Sequence, residues 1–174
     1  MARLLFPSSL IFLIILCVTT LTKLATSQSP LVSNFCHNRP IQDPNFCLKI
    51  LESDHHSKAA KSGHDLKRLT IDLGSNYAKA VTKKCLSLLQ SEKDPNIKAA
   101  LSACASAYDL LNLDFGSIRA AFQSGRYIGQ QGADARLAVS KCNIAFNEKK
   151  LACPLADDNN NLLNFIQIIL ANVM

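Results

Sequence analysis

Between Ile97 and Phe122 the apolar residues Ile97, Leu101, Cys104, Tyr108, Leu111, Phe115, Ile118 and Phe122 recur at alternating steps of four and three. That spacing puts all of them on one face of an α-helix, and a stripe sustained over nearly four heptads describes a helix packed in a bundle. A helix of this kind needs partner stripes, and three other segments supply them. Leu66, Leu69, Leu73, Tyr77, Ala80, Val81, Cys85 and Leu88 predict one helix from Ser57 to about Gln90, in which Gly74 costs about 1 kcal/mol relative to alanine. Ala135, Ala138, Val139, Cys142, Ala145 and Phe146 predict another, its start blurred between Arg126 and Ala133 by Gly129 and Gly132. Leu162, Phe165, Ile166, Ile169, Leu170 and Val173 form a wide final stripe, with caps on offer from Asp157 to Asn161.

The connections fit the same plan. Asp94-Pro95 pairs a capping side chain with a proline at the first helical position, Ser124-Gly125 ends the central helix, and Cys153-Pro154 breaks the next. Residues 28 to 54 are turn-rich, with Pro30, Pro40 and Pro44, and hold one short helix from Phe46 to Leu51 capped by Asp43. No alternating run bounded by Asn-Gly or Asp-Gly turns marks a strand. The expected fold is all-α: an up-down-up-down four-helix bundle preceded by a small helical hairpin.

The chain has seven cysteines, and the odd one is explained by its position. Cys17 lies in an apolar run, Leu10 to Val18, between Arg3 and the small residues Ala25-Thr26-Ser27, which is the pattern of a secretory signal peptide spanning residues 1–27. The run falls well short of the ~20 residues that span a bilayer. Removing it leaves a domain over residues 28–174, 147 residues with six cysteines and, by loss of Arg3 and Lys23, a formal charge of +4. In an oxidising compartment Cys36, Cys47, Cys85, Cys104, Cys142 and Cys153 are disulfide candidates first.

The ten residues between Cys36 and Cys47 suit a hairpin stapled to itself, worth roughly 3 kcal/mol by loop closure. Counted from the end where the second and third long helices meet the same loops, Cys104 and Cys142 lie at depths that differ by only about 6 Å, so a bridge between neighbouring helices is feasible. Cys85 and Cys153 are left over: either they form a third bridge, or Cys85 is a buried thiol and Cys153 an unpaired one.

Catalytic and metal-binding signatures are missing. There is no G-x-S-x-G elbow, phosphate-binding glycine loop or H-E-x-x-H, and no C-x₂₋₄-C or H-x₃₋₅-H spacing. His55-His56, followed by Lys58 and Lys61, reads as a solvated loop and helix start. Lys79, Lys83, Lys84, Lys149 and Lys150 make basic patches without the interleaved aromatics that single-stranded nucleic acids require. Neither a cofactor, a metal, a nucleic-acid partner nor, once the leader is gone, a membrane is expected. A secreted, disulfide-stapled bundle without catalytic groups points to a binding protein.

Three stretches carry a family resemblance. Cys36 with Asp43-Pro44-Asn45-Phe46-Cys47-Leu48 is similar to a C…YPDLCL hairpin, Ala99 to Tyr108 to ALxDCxExY, and Ala138 to Phe146 to ALTDxxTCxDxF. Together they resemble the plant invertase/pectin methylesterase inhibitors across nearly all of residues 28–174. Phe146 to Lys150, followed by Pro154-Leu155, looks most like the branch of pollen-allergen-like members described as invertase inhibitors.

The resemblance implies bridges Cys36–Cys47 and Cys104–Cys142, and a non-catalytic protein that blocks a cell-wall or vacuolar enzyme in a 1:1 complex. Pectin methylesterase is the lead target and acid invertase the alternative; a member that keeps the scaffold without inhibiting is a further reading. The expected location is the apoplast, with the vacuole as a second destination. Members that inhibit pectin methylesterase tend to carry acids in a C-x-E-x-Y-x-D-x-x-D pattern, where this chain has Ser106, Leu110 and Leu113; its acids, Asp109 and Asp114, are each displaced by one residue from the last two of these positions. A Pro-Lys-Phe element of some invertase inhibitors is replaced by Arg126-Tyr127-Ile128. Asp109, Asp114, Arg126 and Tyr127 are the expected target contacts.

Overall fold

The computed structural model describes residues 29–37 and 40–171. The signal peptide assigned to residues 1–27, with Cys17, lies outside the described residues, as does Val173 of the last stripe. Two short helices, α1 (Pro30–His37) and α2 (Pro44–Ser53), and a 3₁₀ turn (His55–Ala59) lead into four long ones: α3 (Gly63–Ser91), α4 (Pro95–Gln123), α5 (Gly129–Glu148) and α6 (Ala156–Ala171). No strand occurs among the described residues.

Local chemistry sets the boundaries. Asp94 accepts the backbone N–H groups of Asn96 (2.7 Å) and Ile97 (3.2 Å), with Pro95 at the first helical position of α4. Asp43 caps α2 in the same way through Phe46 N–H. The helix expected from Ser57 instead begins at Gly63, because Ser62 and Asp65 cap each other: Ser62 Oγ accepts Asp65 N–H, and Asp65 Oδ2 accepts both Ser62 Oγ–H and Lys61 N–H. Residues 30–37, expected to be irregular, form a helix that turns Val32, Phe35 and Cys36 inward. In α6 Asp157 and Asp158 occupy the first turn, where the helix dipole favours acids.

In the bundle α3 packs on α4 and α6, and α5 packs on α4 and α6, closing the up-down-up-down square. Leu101, Cys104, Tyr108, Leu111, Phe115 and Ile118 of the central stripe are all at most 1% exposed. The buried face of α3 differs from the leucine-based expectation: Thr70, Ile71, Gly74, Ser75 and Ala78 are buried, Leu69 and Leu73 are only half-buried, and Ala80 is exposed. Close approach selects the small residues, since a Cβ on Gly74 would stand 2.8 Å from Phe115 Cε1 and 3.3 Å from Phe165 Cβ. Leu69 and Leu73 pack instead toward a second cluster, where the hairpin's Val32, Phe35, Cys36, Ile41, Cys47 and Leu51 meet Leu66 and Ile168.

Cys36 is bonded to Cys47, Cα atoms 5.7 Å apart, and Cys104 to Cys142, Cα atoms 4.3 Å apart. The second bridge closes a separation of 38 residues, worth roughly 4 kcal/mol by loop closure. The third bridge that the sequence left open is not formed. Cys85 is a fully buried thiol aimed at Leu101 O (3.5 Å), its pKa pushed up to about 11 chiefly by burial, and Cys153 is a half-buried thiol in the α5–α6 loop, 4.0 Å from Asn159 Nδ2.

Candidate functional site

The short turn between α4 and α5 makes them antiparallel neighbours and the Cys104–Cys142 bridge joins them, so their outward faces adjoin. On α5, Asp134, Leu137, Lys141 and Ile144 follow one another at steps of three and four and are all exposed. On α4, a turn of 100° per residue places Leu113 and Leu110 between Asp109 on one side and Asp114 on the other. Burial, and then the Asp134 charge, raise the Asp114 carboxyl above its usual range, while Lys141 opposes them. Those influences put Asp114 at the seam, facing α5. Asp109 acts on Cys85 of α3 and marks the opposite edge.

Four large apolar residues are exposed on this double face: Leu110 (47%), Leu113 (68%), Leu137 (54%) and Ile144 (48%). Isolated exposed apolar residues are ordinary, but four on two adjoining helices, with Asp114, Asp134 and Lys141 along the seam between them and Asp109 at one edge, form a surface suited to a macromolecular partner.

The expected contact residues are therefore divided between two places. Asp109 lies at one edge of this face and Asp114 at its seam. Arg126 and Tyr127 occupy the α4–α5 turn, at least roughly 14 Å farther along the bundle from Asp114 by helix rise. Arg126 donates from Nε to Ser124 Oγ (2.9 Å), and Tyr127 is 75% exposed, its ring lying across Gly129, where any Cβ would collide with it. Leu137 and Ile144 were missed by sequence reasoning. Their signal was available: both are apolar yet stand off the buried stripe Ala135, Ala138, Val139, Cys142, Phe146.

Elsewhere, polar groups tie elements together. Tyr77 Oη donates to Asp158 (2.9 Å), which also pairs with Lys84 Nζ at 2.7 Å, and Asn161 Nδ2 donates to Tyr77 Oη (3.0 Å). Tyr108 Oη donates to the buried Asn159 Oδ1 at 2.5 Å, and Asn159 Nδ2 donates to Asn143 Oδ1 at 2.6 Å. Burial drives the Tyr108 phenol upward, so it stays a neutral donor. These are cross-braces between helices. Among the described residues no helix is long and apolar enough to cross a membrane.

Comparison with known proteins agrees with this architecture. A family described as plant invertase/pectin methylesterase inhibitor matches residues 30–171. No curated protein sequence matches the chain. Among solved structures, a mutant form of a pectin methylesterase inhibitor from Arabidopsis superposes with a TM-score of 0.67 at 22% identity, covering 82% of this chain and 95% of that one. A second structure of a pectin methylesterase inhibitor from Arabidopsis thaliana gives a TM-score of 0.49 at 21% identity over 82% of this chain and 93% of that one. At these identities the first likeness establishes the fold.

Proposed function

Because the chain belongs to the plant invertase/pectin methylesterase inhibitor family, a family of protein inhibitors rather than enzymes, we propose that it is a secreted inhibitor of pectin methylesterase that docks through the outer face of α4 and α5. The observation that carries this reading is the exposed face on which Leu110 and Leu113 of α4 and Leu137 and Ile144 of α5 flank a seam holding Asp114 and Asp134, with Asp109 at one edge. The substrate of that enzyme is a polyuronate bearing apolar methyl esters among free carboxylates. A face that alternates apolar side chains with carboxylates offers its cleft the same chemistry. Acid invertase acts on an uncharged sugar and gains less from such a rim.

A second reading has its own observation. Ser106, Leu110 and Leu113 stand where pectin-methylesterase-type members tend to carry acids, and this favours acid invertase as the target. Titrating the oxidised protein against each enzyme at mildly acidic pH separates the two. Loss of pectin methylesterase activity at near-equimolar inhibitor is expected; loss of invertase activity alone selects the second target, and no loss with either sinks the inhibitory role.

A further inference from the structure

The 3₁₀ turn between hairpin and bundle carries groups that the α4–α5 face does not use. Asp54 caps the turn: its Oδ1 accepts the His56 backbone N–H at 2.8 Å and lies 3.0 Å from His56 Nδ1. The His55 and His56 rings lie against one another, centroids 3.8 Å apart. Donor atoms of the three side chains all fall within 4.8 Å of one another. From this cluster opens a groove of about 850 Å³, lined in part by Asp54, His56, Asp65, Arg68, Asp72 and Arg119.

We propose that Asp54, His55 and His56 bind a divalent transition metal of borderline softness, Zn²⁺ or Cu²⁺. Two imidazoles and a carboxylate are the donors such ions take, whereas Ca²⁺ and Mg²⁺ seek all-oxygen shells. Zinc bonds of 2.0–2.2 Å set tetrahedral donors about 3.4 Å apart, so closing the site from 4.8 Å takes a shift of little over 1 Å. Both imidazoles are exposed and can make it by side-chain rotation, His56 exchanging its Nδ1 contact with Asp54 for the metal, while Asp54, with its side chain only 20% exposed and held as the cap, is the fixed member. The other carboxylates of the groove are already engaged, Asp65 with Lys61 N–H and Ser62, and Asp72 in a 2.6 Å ion pair with Arg119. The metal's remaining position is thus left to water or to a donor from the groove. The sequence has no H-x₃₋₅-H or C-x₂₋₄-C spacing, and His55-His56 reads in it as a solvated loop; the two adjacent histidines converge here because a capped 3₁₀ turn holds them.

The test is isothermal titration of the oxidised, tag-free protein with ZnCl₂ and, separately, CuCl₂, and it involves no target enzyme. One saturable site per chain is expected, tighter for Cu²⁺ than for Zn²⁺. Loss of even an outer-shell partner costs 10–100-fold in metal affinity, so His55→Ala and His56→Ala should each weaken binding at least about tenfold with an unchanged helical circular dichroism spectrum. Asp54→Asn, which keeps a capping oxygen, should weaken it as well, while His37→Ala and His64→Ala should leave it intact. Absence of saturable binding at millimolar metal, or a site that survives both His55→Ala and His56→Ala, overturns the proposal.

Discussion

Lys150 is held in the left-handed region at φ 55°, where a side chain is costly. The cause is the end of α5: Leu151 N–H reaches back to Phe146 O (3.0 Å) and Lys150 N–H to Asn147 O (2.9 Å). α4 ends with the same two-bond pattern, Arg126 to Ala121 and Gly125 to Phe122, but there the left-handed position is Gly125 at φ 67°. A left-handed L-residue costs roughly 1–2 kcal/mol, and glycine gives part of that back through the entropy of the unfolded chain. Lys150→Gly is expected to stabilise by about 0.5–1 kcal/mol, a rise of about 1–4 °C in Tm by calorimetry. Asp114 makes a second residue-scale prediction. Its carboxyl is raised in the fold, so its contribution is fully present below the unfolded value near 3.8 and is lost as pH climbs through the folded value. Asp114→Asn should therefore raise Tm at pH 7, and the gain over wild type should vanish toward pH 3. A gain that is constant with pH would assign the effect to something other than this ionisation.

Among the elements, α4 was legible and α3 was only half so, for a physical reason. Large apolar residues every three or four positions identify the α4 core face directly. The ends of the α3 core face, Leu66, Val81 and Cys85, follow the expected stripe, but its middle includes Thr70, Gly74 and Ser75, which hydropathy ranks low, and that part is recognisable only once Phe115 and Phe165 are seen resting on Gly74. Helix α1 has eight residues, too few for its pattern to stand out, and it is defined by packing on α2 and by the Cys36–Cys47 bridge. The brace joining α4, α5 and α6 was likewise illegible, because Tyr108, Asn143 and Asn159 are far apart in sequence. Tyr108→Phe removes the donor to Asn159 Oδ1 and leaves that fully buried oxygen unpaired. Such a group costs about 1–3 kcal/mol, to be read as a lower urea midpoint at constant slope. Adding Asn159→Leu should recover part of the loss, as expected if the orphaned acceptor rather than the missing hydroxyl is responsible.

At the scale of the whole molecule, the proposed inhibition requires one face of a rigid bundle to stay uncovered. A stable protein complex buries about 800 Å² on each partner, so the proposed docking surface runs along the two helices rather than over the α4–α5 turn alone. Leu113 and Leu137 lie at its centre and touch no part of the core deeply: they are 68% and 54% exposed. Leu113→Arg and Leu137→Arg should accordingly leave Tm nearly unchanged, within the roughly 0.5 kcal/mol usual for surface positions. Each places a charge in the middle of the proposed interface, where losses of about 2 kcal/mol or more are typical of central residues. The pair is thus expected to raise the inhibition constant by a hundredfold or more. Tyr127→Ala, at the end of the bundle, should change it less if the strip is the centre of contact. Should Tyr127→Ala abolish inhibition while the arginine pair leaves it intact, the docking site belongs at the α4–α5 turn. In that case the exposed leucines have another role.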